Sequence, residues 1–336
     1  MTTPGCHMRA EIAEAPGVFV RAIRNSVSDI AKNALTEMQD LRAIYTIARG
    51  SSDAAANILS YEFMRVLKKP MTSLPPSVFS LGQGVSMANS LALVVSQSGA
   101  SDDLVRSTAG VRANGGFVIG LINQPNSAVS AKAHITLPIG AGPELAVPAT
   151  KSVIGSIAAG MALLSALAPS YAAQADAAAH NFQGLNTTLP QADTILTALL
   201  QADHVYVIGR DTGYGAAQEL ALKIKETCAL HAEAYSSSEV LHGPLQLATK
   251  PLLILILDTG QPDIQASLDI AESRFRAAGG TVHRLRPTNI GAPTLAPPAA
   301  AALLLILTYP LVLAAALALG YDPDRPETLA KVTQTI

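Results

Sequence analysis

One piece of sequence grammar occurs twice along this chain, and the repetition restricts what it can fold into. A short β-branched or leucine-rich run ends in a small polar turn and passes into a longer helical pattern. Ile44 to Ala48 leads into Arg49-Gly50-Ser51-Ser52 and then Asp53 to Leu67. Leu91 to Val95 leads into Ser96-Gln97-Ser98-Gly99 and a helix through Arg112, which Gly115-Gly116 stops before the next strand, Phe117 to Ile122. Ala133 to Ile139 reads as a further strand and Lys151 to Ala168 as a helix. The grammar then returns. His204 to Ile208 passes through Gly209-Arg210-Asp211-Thr212 into the helix Gly215 to Thr227. Leu252 to Leu257 passes through Asp258-Thr259-Gly260 into a helix, Gly279-Gly280 and the strand Thr281 to Leu285. Gly50 and Gly209 lie 159 positions apart, Gly99 and Gly260 161, and Gly115 and Gly279 164. Three offsets that agree this closely predict a duplicated unit.

Continuous apolar strands alternating with helices predict an α/β fold whose parallel sheets are covered on both faces. The expected organisation is an N-terminal helical lead (1–40), a first α/β domain (41–175), a second (195–298), and a C-terminal helix and tail (299–336). Hydrophobic residues are 49 % of the chain and charged residues 14 %, which suits a large core rather than disorder. A formal net charge of −2 argues against a nucleic-acid surface or a polybasic membrane anchor. Two cysteines, Cys6 and Cys228, are too few for a disulfide framework, and the seven histidines include no ligand-spaced pair, so neither a metal nor another cofactor is expected. The expected location is the cytoplasm. Residues 1–15 lack the apolar core of a signal peptide. Ala299 to Gly320 is uncharged and long enough to span a bilayer, but Pro310 interrupts it and no basic cluster flanks it. A buried core helix is the expectation.

In an open parallel sheet, ligands bind beyond the carboxyl ends of the strands. In the first repeat those ends carry Ser51 and Ser52 after one strand, and Ser96, Gln97, Ser98 and Ser101 after another. Each turn opens a helix, so backbone N–H groups and hydroxyls face one crevice, a setting for a phosphate monoester. The bland alternative is that these serines are ordinary helix N-caps. G-x-x-x-x-G-K-[ST] and G-x-G-x-x-G are both absent, which disfavours nucleoside triphosphates and dinucleotides. In the second repeat an acid, Asp258, enters the corresponding loop, so one phosphate site is expected per chain.

The helix of the second repeat carries Glu219, Lys223 and Glu226 at i, i+4 and i+7, on one face. By itself that pattern reads as a solvated, ion-paired face. It is followed by His231, Glu233, a serine run and His242-Gly243-Pro244, where a histidine on a turn is presented rather than packed. The tail adds Arg325-Pro326-Glu327-Thr328-Leu329-Ala330-Lys331, which puts a lysine close to the end of the chain. Cys228 reads as a small buried apolar residue and His231 as a core or interface histidine.

These stretches, in order, resemble the sugar isomerase (SIS) family, specifically the double-SIS isomerase half of glutamine–fructose-6-phosphate amidotransferases. The matching residues are Gly50-Ser51-Ser52, Ser96-Gln97-Ser98-Gly99, Gly142-Pro143-Glu144, Ala149-Thr150-Lys151, Glu219 to Glu226, His231 to Tyr235, His242-Gly243-Pro244-Leu245, and Asp322 to Arg325 with Leu329-Ala330-Lys331. Glu11 to Pro16 resembles the segment that opens that half. The resemblance implies two tandem flavodoxin-like αβα units. It implies that Ser51, Ser52, Ser96, Gln97, Ser98 and Ser101, with Val147 and Glu219, hold the phosphate and sugar. Glu226 matches the base that moves a proton between C1 and C2, and Lys223 a supporting cation beside it. His242 matches a ring-opening acid/base supplied across a dimer interface, and Lys331 an amine able to form a Schiff base with an open-chain ketose. Pro148 and Ala149 depart from the pattern; a sugar-contacting serine is expected at the latter position.

The expected substrate is therefore a hexosamine 6-phosphate. Without the N-terminal-cysteine glutaminase domain of the synthases, the expected reaction is conversion of glucosamine 6-phosphate to fructose 6-phosphate and ammonia. The alternatives are a fructosamine-6-phosphate deglycase, another aldose–ketose isomerase, and a sensor that only binds sugar phosphates. Alanine-rich helices with little polar surface point to a homodimer, with neither nucleic acid nor membrane as partner.

Overall fold

A computed structural model describes residues 3–25, 27 and 40–331. The expected helical lead to residue 40 falls largely outside these residues beyond Arg24. What is described of it is one helix, α1 (Cys6–Arg24), with Pro16 inside it.

The chain divides into two compact units. The first comprises residues 15–144, 151–183 and the C-terminal residues from Ala330; the second comprises the residues up to Glu14, 145–150 and 184–329. The division passes through α1.

The first unit continues with β1 (Ala43–Ile47), α2 (Gly50–Leu67), β2 (Met71–Ser73), the one-turn α3 (Ser77–Ser80), β3 (Ser90–Ser96), α4 (Asp102–Ala113), β4 (Phe117–Ile122), β5 (Ile135–Pro138), α5 (Lys151–Leu167) and α6 (Ala172–Asn181). Its five strands are all parallel in the order β2-β1-β3-β4-β5. Every residue of β3 is buried, as its unbroken apolar run requires of a central strand covered on both faces. Helix α5 approaches α2 closely because Gly160 offers no side chain; a Cβ there would sit 2.3 Å from Leu59 Cδ1. Phe19 of α1 stacks on Phe182 with ring centroids 3.9 Å apart.

The second unit contains α7 (Ala192–Leu200), β6 (His204–Gly209), α8 (Thr212–Cys228), β7 (His231–Ser236), β8 (Leu253–Leu257), α9 (Pro262–Ala277), β9 (Thr281–Leu285) and α10 (Pro297–Ala318). Its four parallel strands run β7-β6-β8-β9, repeating the order of the first four strands of the other sheet. The chain is thus two parallel-sheet α/β units of one topology, as the duplicated grammar predicts. Two paired strands, β2 and β7, are absent from the sequence reading: β2 has three residues, two of them exposed, and β7 carries His231, Glu233 and Ser236.

Among the described residues α10 alone is long and apolar enough to cross a membrane, yet 83 % of its apolar stretch is buried within the protein, as expected of a core helix. It packs along α8 and carries Tyr309 to that helix's polar face. A helix apolar all round needs neighbours on every side, and burial supplies most of its stability. We expect Leu304→Ala, which removes a fully buried side chain at its centre, to cost about 2–5 kcal/mol in urea unfolding with an unchanged m-value.

Candidate active site

In the first unit β1 and β3 lie side by side, with Ile47 opposite Val94, so their carboxyl ends open at one place. From β1 the chain crosses to β2 on one side, and from β3 to β4 on the other. That divergence is the topological switch point of an open α/β sheet, where the backbones leave a crevice.

The serines sit there, and neither helix is capped by a serine side chain. Helix α2 begins at Gly50, three residues earlier than its sequence pattern suggests, so Ser51 and Ser52 lie in its first turn. Arg49 holds the N-cap position with no side-chain cap. Ser101 holds the N-cap position of α4, also with no side-chain cap. Among the described residues the hydroxyls of Ser51, Ser52 and Ser101 have no hydrogen-bond partner and remain half-buried, available to a ligand. Ser96 Oγ accepts from the Gly99 N–H at 2.9 Å, and Ser98 Oγ from the Ala100 N–H at 3.3 Å, which shapes the second loop. Gly99 has φ +60°, and a Cβ there would lie 2.2 Å from Ser127 Oγ; only glycine fits. Gln97 is half-buried on the same turn.

Two residues the sequence reading passed over tie these loops together. Arg49 Nε lies 2.9 Å from Asp103 Oδ2, the carboxylate fully buried and the guanidinium half-exposed. Asp103 Oδ1 accepts from the Leu104 N–H at 2.9 Å. The pair joins the β1 loop to the first turn of α4 and leaves part of a cation at the mouth of the crevice. Asp53, in the first turn of α2, is raised above the usual carboxyl range by burial, partly offset by Ser73 and Arg49.

Lys331 belongs to this unit, and Glu144 receives it. The Lys331 Nζ lies 3.2 Å from Glu144 Oε2. Glu144 is buried and also accepts from the Ser152 N–H at 3.0 Å and the Ser152 hydroxyl at 2.6 Å. A buried carboxylate with these donors anchors the tail lysine beside the start of α5.

In the second unit, α8 presents a line of buried charge. Tyr309 Oη donates to Glu219 Oε1 at 3.1 Å, and that oxygen lies 3.7 Å from Lys223 Nζ. Lys223 in turn is hydrogen-bonded to Glu226. Glu219 and Lys223 have fully buried side chains, whereas Glu226 is 26 % exposed. The solvated face that spacing alone suggests is therefore a buried ion-pair chain whose last carboxylate reaches solvent. Glu226 sits in the last turn of α8, where the helix dipole opposes a negative charge, and Lys223 supplies the counter-charge.

Val147 is half-buried in the segment that groups with this unit, whose backbone at Leu145 and Ala146 is held by the carboxylate of Glu11. His242 is exposed at the end of the turn Glu239–His242, which Val240 anchors in the core, and among the described residues it makes no side-chain hydrogen bond; the structure does not join it to Glu226. His231, expected in a core or interface, is exposed at the amino end of β7, the end away from the strand-terminal loops, with Nε2 3.9 Å from Glu233. Cys228 is buried, its thiol pushed up by burial and only partly restored by Thr227, which leaves a packing residue rather than a nucleophile.

The second unit's own strand-end loop is closed by its acid. Asp258 accepts from the Gly260 N–H and Gln265 at 2.9 Å on Oδ1, and from Arg284 (2.9 Å) and Arg286 (2.6 Å) on Oδ2. A carboxylate of the chain itself thus occupies the place where the first unit leaves unengaged hydroxyls.

Against known proteins, the SIS domain model matches residues 37–166 and 198–282, one segment for each unit, and the chain belongs to the SIS domain family. A candidate phosphosugar isomerase from Silicibacter pomeroyi DSS-3 superposes with a TM-score of 0.83 at 31 % identity, covering 95 % of this chain and 99 % of that one. The glutamine–fructose-6-phosphate aminotransferase of Sulfurisphaera tokodaii is 28 % identical over 342 residues, 96 % of this chain and 56 % of that protein. The chain spans about half the length of the curated relatives it matches. Glucosamine-6-phosphate deaminase from Thermotoga maritima shares the fold, with a TM-score of 0.76 at 20 % identity over 98 % of this chain and all of that one.

Asp258 allows a test of the closed loop. Burial raises its carboxyl, but the hydrogen bonds from Gln265, Gly260 and Arg286 and the charge of Arg284 outweigh it, so the group lies below its ordinary value. A carboxylate held low when folded stabilises above its unfolded pKa and loses that contribution as pH falls through the folded value. Asp258→Asn should cost about 3 kcal/mol at pH 7, toward the low end for a broken buried pair because Arg286 is 39 % exposed. In guanidinium unfolding the gap between the two proteins should narrow as pH drops below about 4.

Proposed function

We propose that this protein is a phosphosugar isomerase that works as a deaminase, converting glucosamine 6-phosphate and water to fructose 6-phosphate and ammonia. The observation that carries the reading is the Lys223–Glu226 pair: an ammonium with no exposure clamps a carboxylate that still reaches solvent. The uncapped serine turns of the first unit supply matching phosphate chemistry, since hydroxyls and helix N-termini favour a phosphate monoester. Membership of the SIS family and the likeness to a deaminase and to isomerising aminotransferases support the same choice.

The steps follow from the groups available. His242, exposed at the end of its turn and contributed by a second copy of the chain, takes the proton of the anomeric O1 hydroxyl and delivers a proton to the ring oxygen O5 as the C1–O5 bond breaks, opening the pyranose to the aldehyde. Glu226 removes the proton from C2, the C–H pair forms a C1–C2 double bond and the C1=O π pair passes to O1, which takes up a proton, giving an enolamine. Return of the C2 proton from Glu226 to C1, with loss of one N–H proton to water, makes a ketimine at C2. Water adds to that carbon, the C–N bond breaks, and ammonia leaves fructose 6-phosphate. Lys223 orients Glu226 during transfer, and Glu219 with Tyr309 holds Lys223. Ser51, Ser52, Ser96, Gln97, Ser98 and Ser101 fix the phosphate and sugar hydroxyls, and Val147 packs on the sugar. Lys331, held by Glu144, lies in reserve for a ketose carbonyl.

General-base removal costs about 10²–10⁴-fold in rate, so Glu226→Gln should lose that much ammonia release while still binding fructose 6-phosphate. Ammonia and ketose phosphate are to be followed together over a panel of amino-sugar and sugar phosphates. Equal release of both from glucosamine 6-phosphate is the expected result. Interconversion of aldose and ketose phosphates with no ammonia from any amino sugar would replace the deaminase by a plain isomerase. Ammonia from a fructosamine 6-phosphate alone would make it a deglycase, and binding without turnover a sensor.

A further inference from the structure

Helix α1 begins at Cys6, and its first turn is capped from the far end of the sequence. Asp324 Oδ2 accepts from the His7 N–H at 2.8 Å and Oδ1 from the Met8 N–H at 2.9 Å, across 317 and 316 residues. Asp322 supports this cap: its Oδ1 accepts from the Gly5 N–H at 2.9 Å and the Asp324 N–H at 3.1 Å. The carboxylate of Asp324 is buried, whereas Cys6 and His7 are half-buried and reachable from solvent.

Capping alone needs only the aspartates. What it does not explain is the chemistry brought alongside: the Cys6 sulfur, a His7 ring nitrogen and an Asp324 oxygen all lie within 4.8 Å of one another. We propose that Cys6, His7 and Asp324 form a binding site for zinc, with water as the fourth ligand. Sulfur, imidazole and carboxylate together are a donor set suited to this borderline-soft ion. Bonds of about 2.0–2.3 Å put the ligand atoms of a tetrahedral site roughly 3.3–3.8 Å apart, so side-chain rotation of under about 1.5 Å closes the set. Each oxygen of Asp324 accepts one backbone N–H and keeps a second lone pair for the metal. Those N–H groups act as the outer shell, fixing the carboxylate's direction. Thiolate and carboxylate supply two negative charges, which offset the positive end of α1 that a cation would otherwise oppose. No residue of the sugar chemistry takes part, and the site stands or falls apart from the proposed activity. The sequence hides it because its third ligand is separated from the other two by almost the whole chain.

Cobalt(II) is the direct probe, added to tag-free, reduced, full-length protein. One equivalent should give a thiolate-to-cobalt charge-transfer band in the near ultraviolet and visible d–d bands of tetrahedral strength, and one equivalent of zinc should bleach both. Cys6→Ser should abolish the charge-transfer band, and Cys6→Ser and His7→Gln should each weaken cobalt affinity about tenfold or more. Because Asp324→Asn also removes a helix cap, it is replaced by a measurement: zinc should raise the Tm of the wild type and leave that of Cys6→Ser unmoved. Absence of a charge-transfer band in the wild type would overturn the site. So would bands that survive Cys6→Ser, or that His7→Gln leaves at full affinity, since either would place the metal elsewhere or on the cysteine alone.

Discussion

In the first unit, everything of chemical interest depends on β1 and β3 lying as parallel neighbours. Parallel pairing sends both chains out at one edge, and the opposite crossovers to β2 and β4 stop either loop from covering the other. The half-buried hydroxyls of Ser51, Ser52 and Ser101 stay uncovered by the other loop for that reason, rather than through any special property of the serines. Arg49 and Asp103 then fix the distance between the loops. That ion pair has one buried and one half-exposed member, so it contributes more to register than to stability.

The duplication explains how two like units come to differ. Both strand-end loops contain backbone N–H groups that need an acceptor. In the first unit Ser96 satisfies Gly99 and Ser98 satisfies Ala100, both with neutral oxygens. In the second, Asp258 satisfies Gly260 with a charge, and Arg284 and Arg286 neutralise it. An anion entering the second loop would have to displace a paired carboxylate from a buried position. The first repeat's strand-end loop thereby carries no charge of its own, and the second repeat's is filled by a neutralised carboxylate. On α8, burying Lys223 is possible only because carboxylates lie on both sides of it along one helical face.

The strands and long helices were legible because periodicity and continuous apolar runs report burial directly: β4 and β9 carry the expected bounds, and α10 was rightly expected in a core. Strands β2 and β7 were not, since an edge strand needs only one neighbour and tolerates the polar residues that blur the pattern. The same limit applies at the site. Serines at strand ends declared themselves, but whether they capped their helices depended on where α2 started, three residues from where the pattern placed it. Arg49, Asp103 and Glu144 matter through partners 54 or 187 positions away, and no local signal marks such pairs.

The reading of Glu219, Lys223 and Glu226 shows where local inference turns over. Spacing i, i+4, i+7 is equally compatible with a water-facing ion-pair ladder and with a buried relay, because the intrahelical geometry is the same in both. The difference lies in what packs outside the helix. Here α10, too apolar to leave in water, covers α8 and places the Tyr309 hydroxyl on Glu219. Burial of one helix thus converts a surface pattern on another into a low-dielectric one, where each charge must be paired and only the terminal carboxylate, Glu226, still reaches solvent.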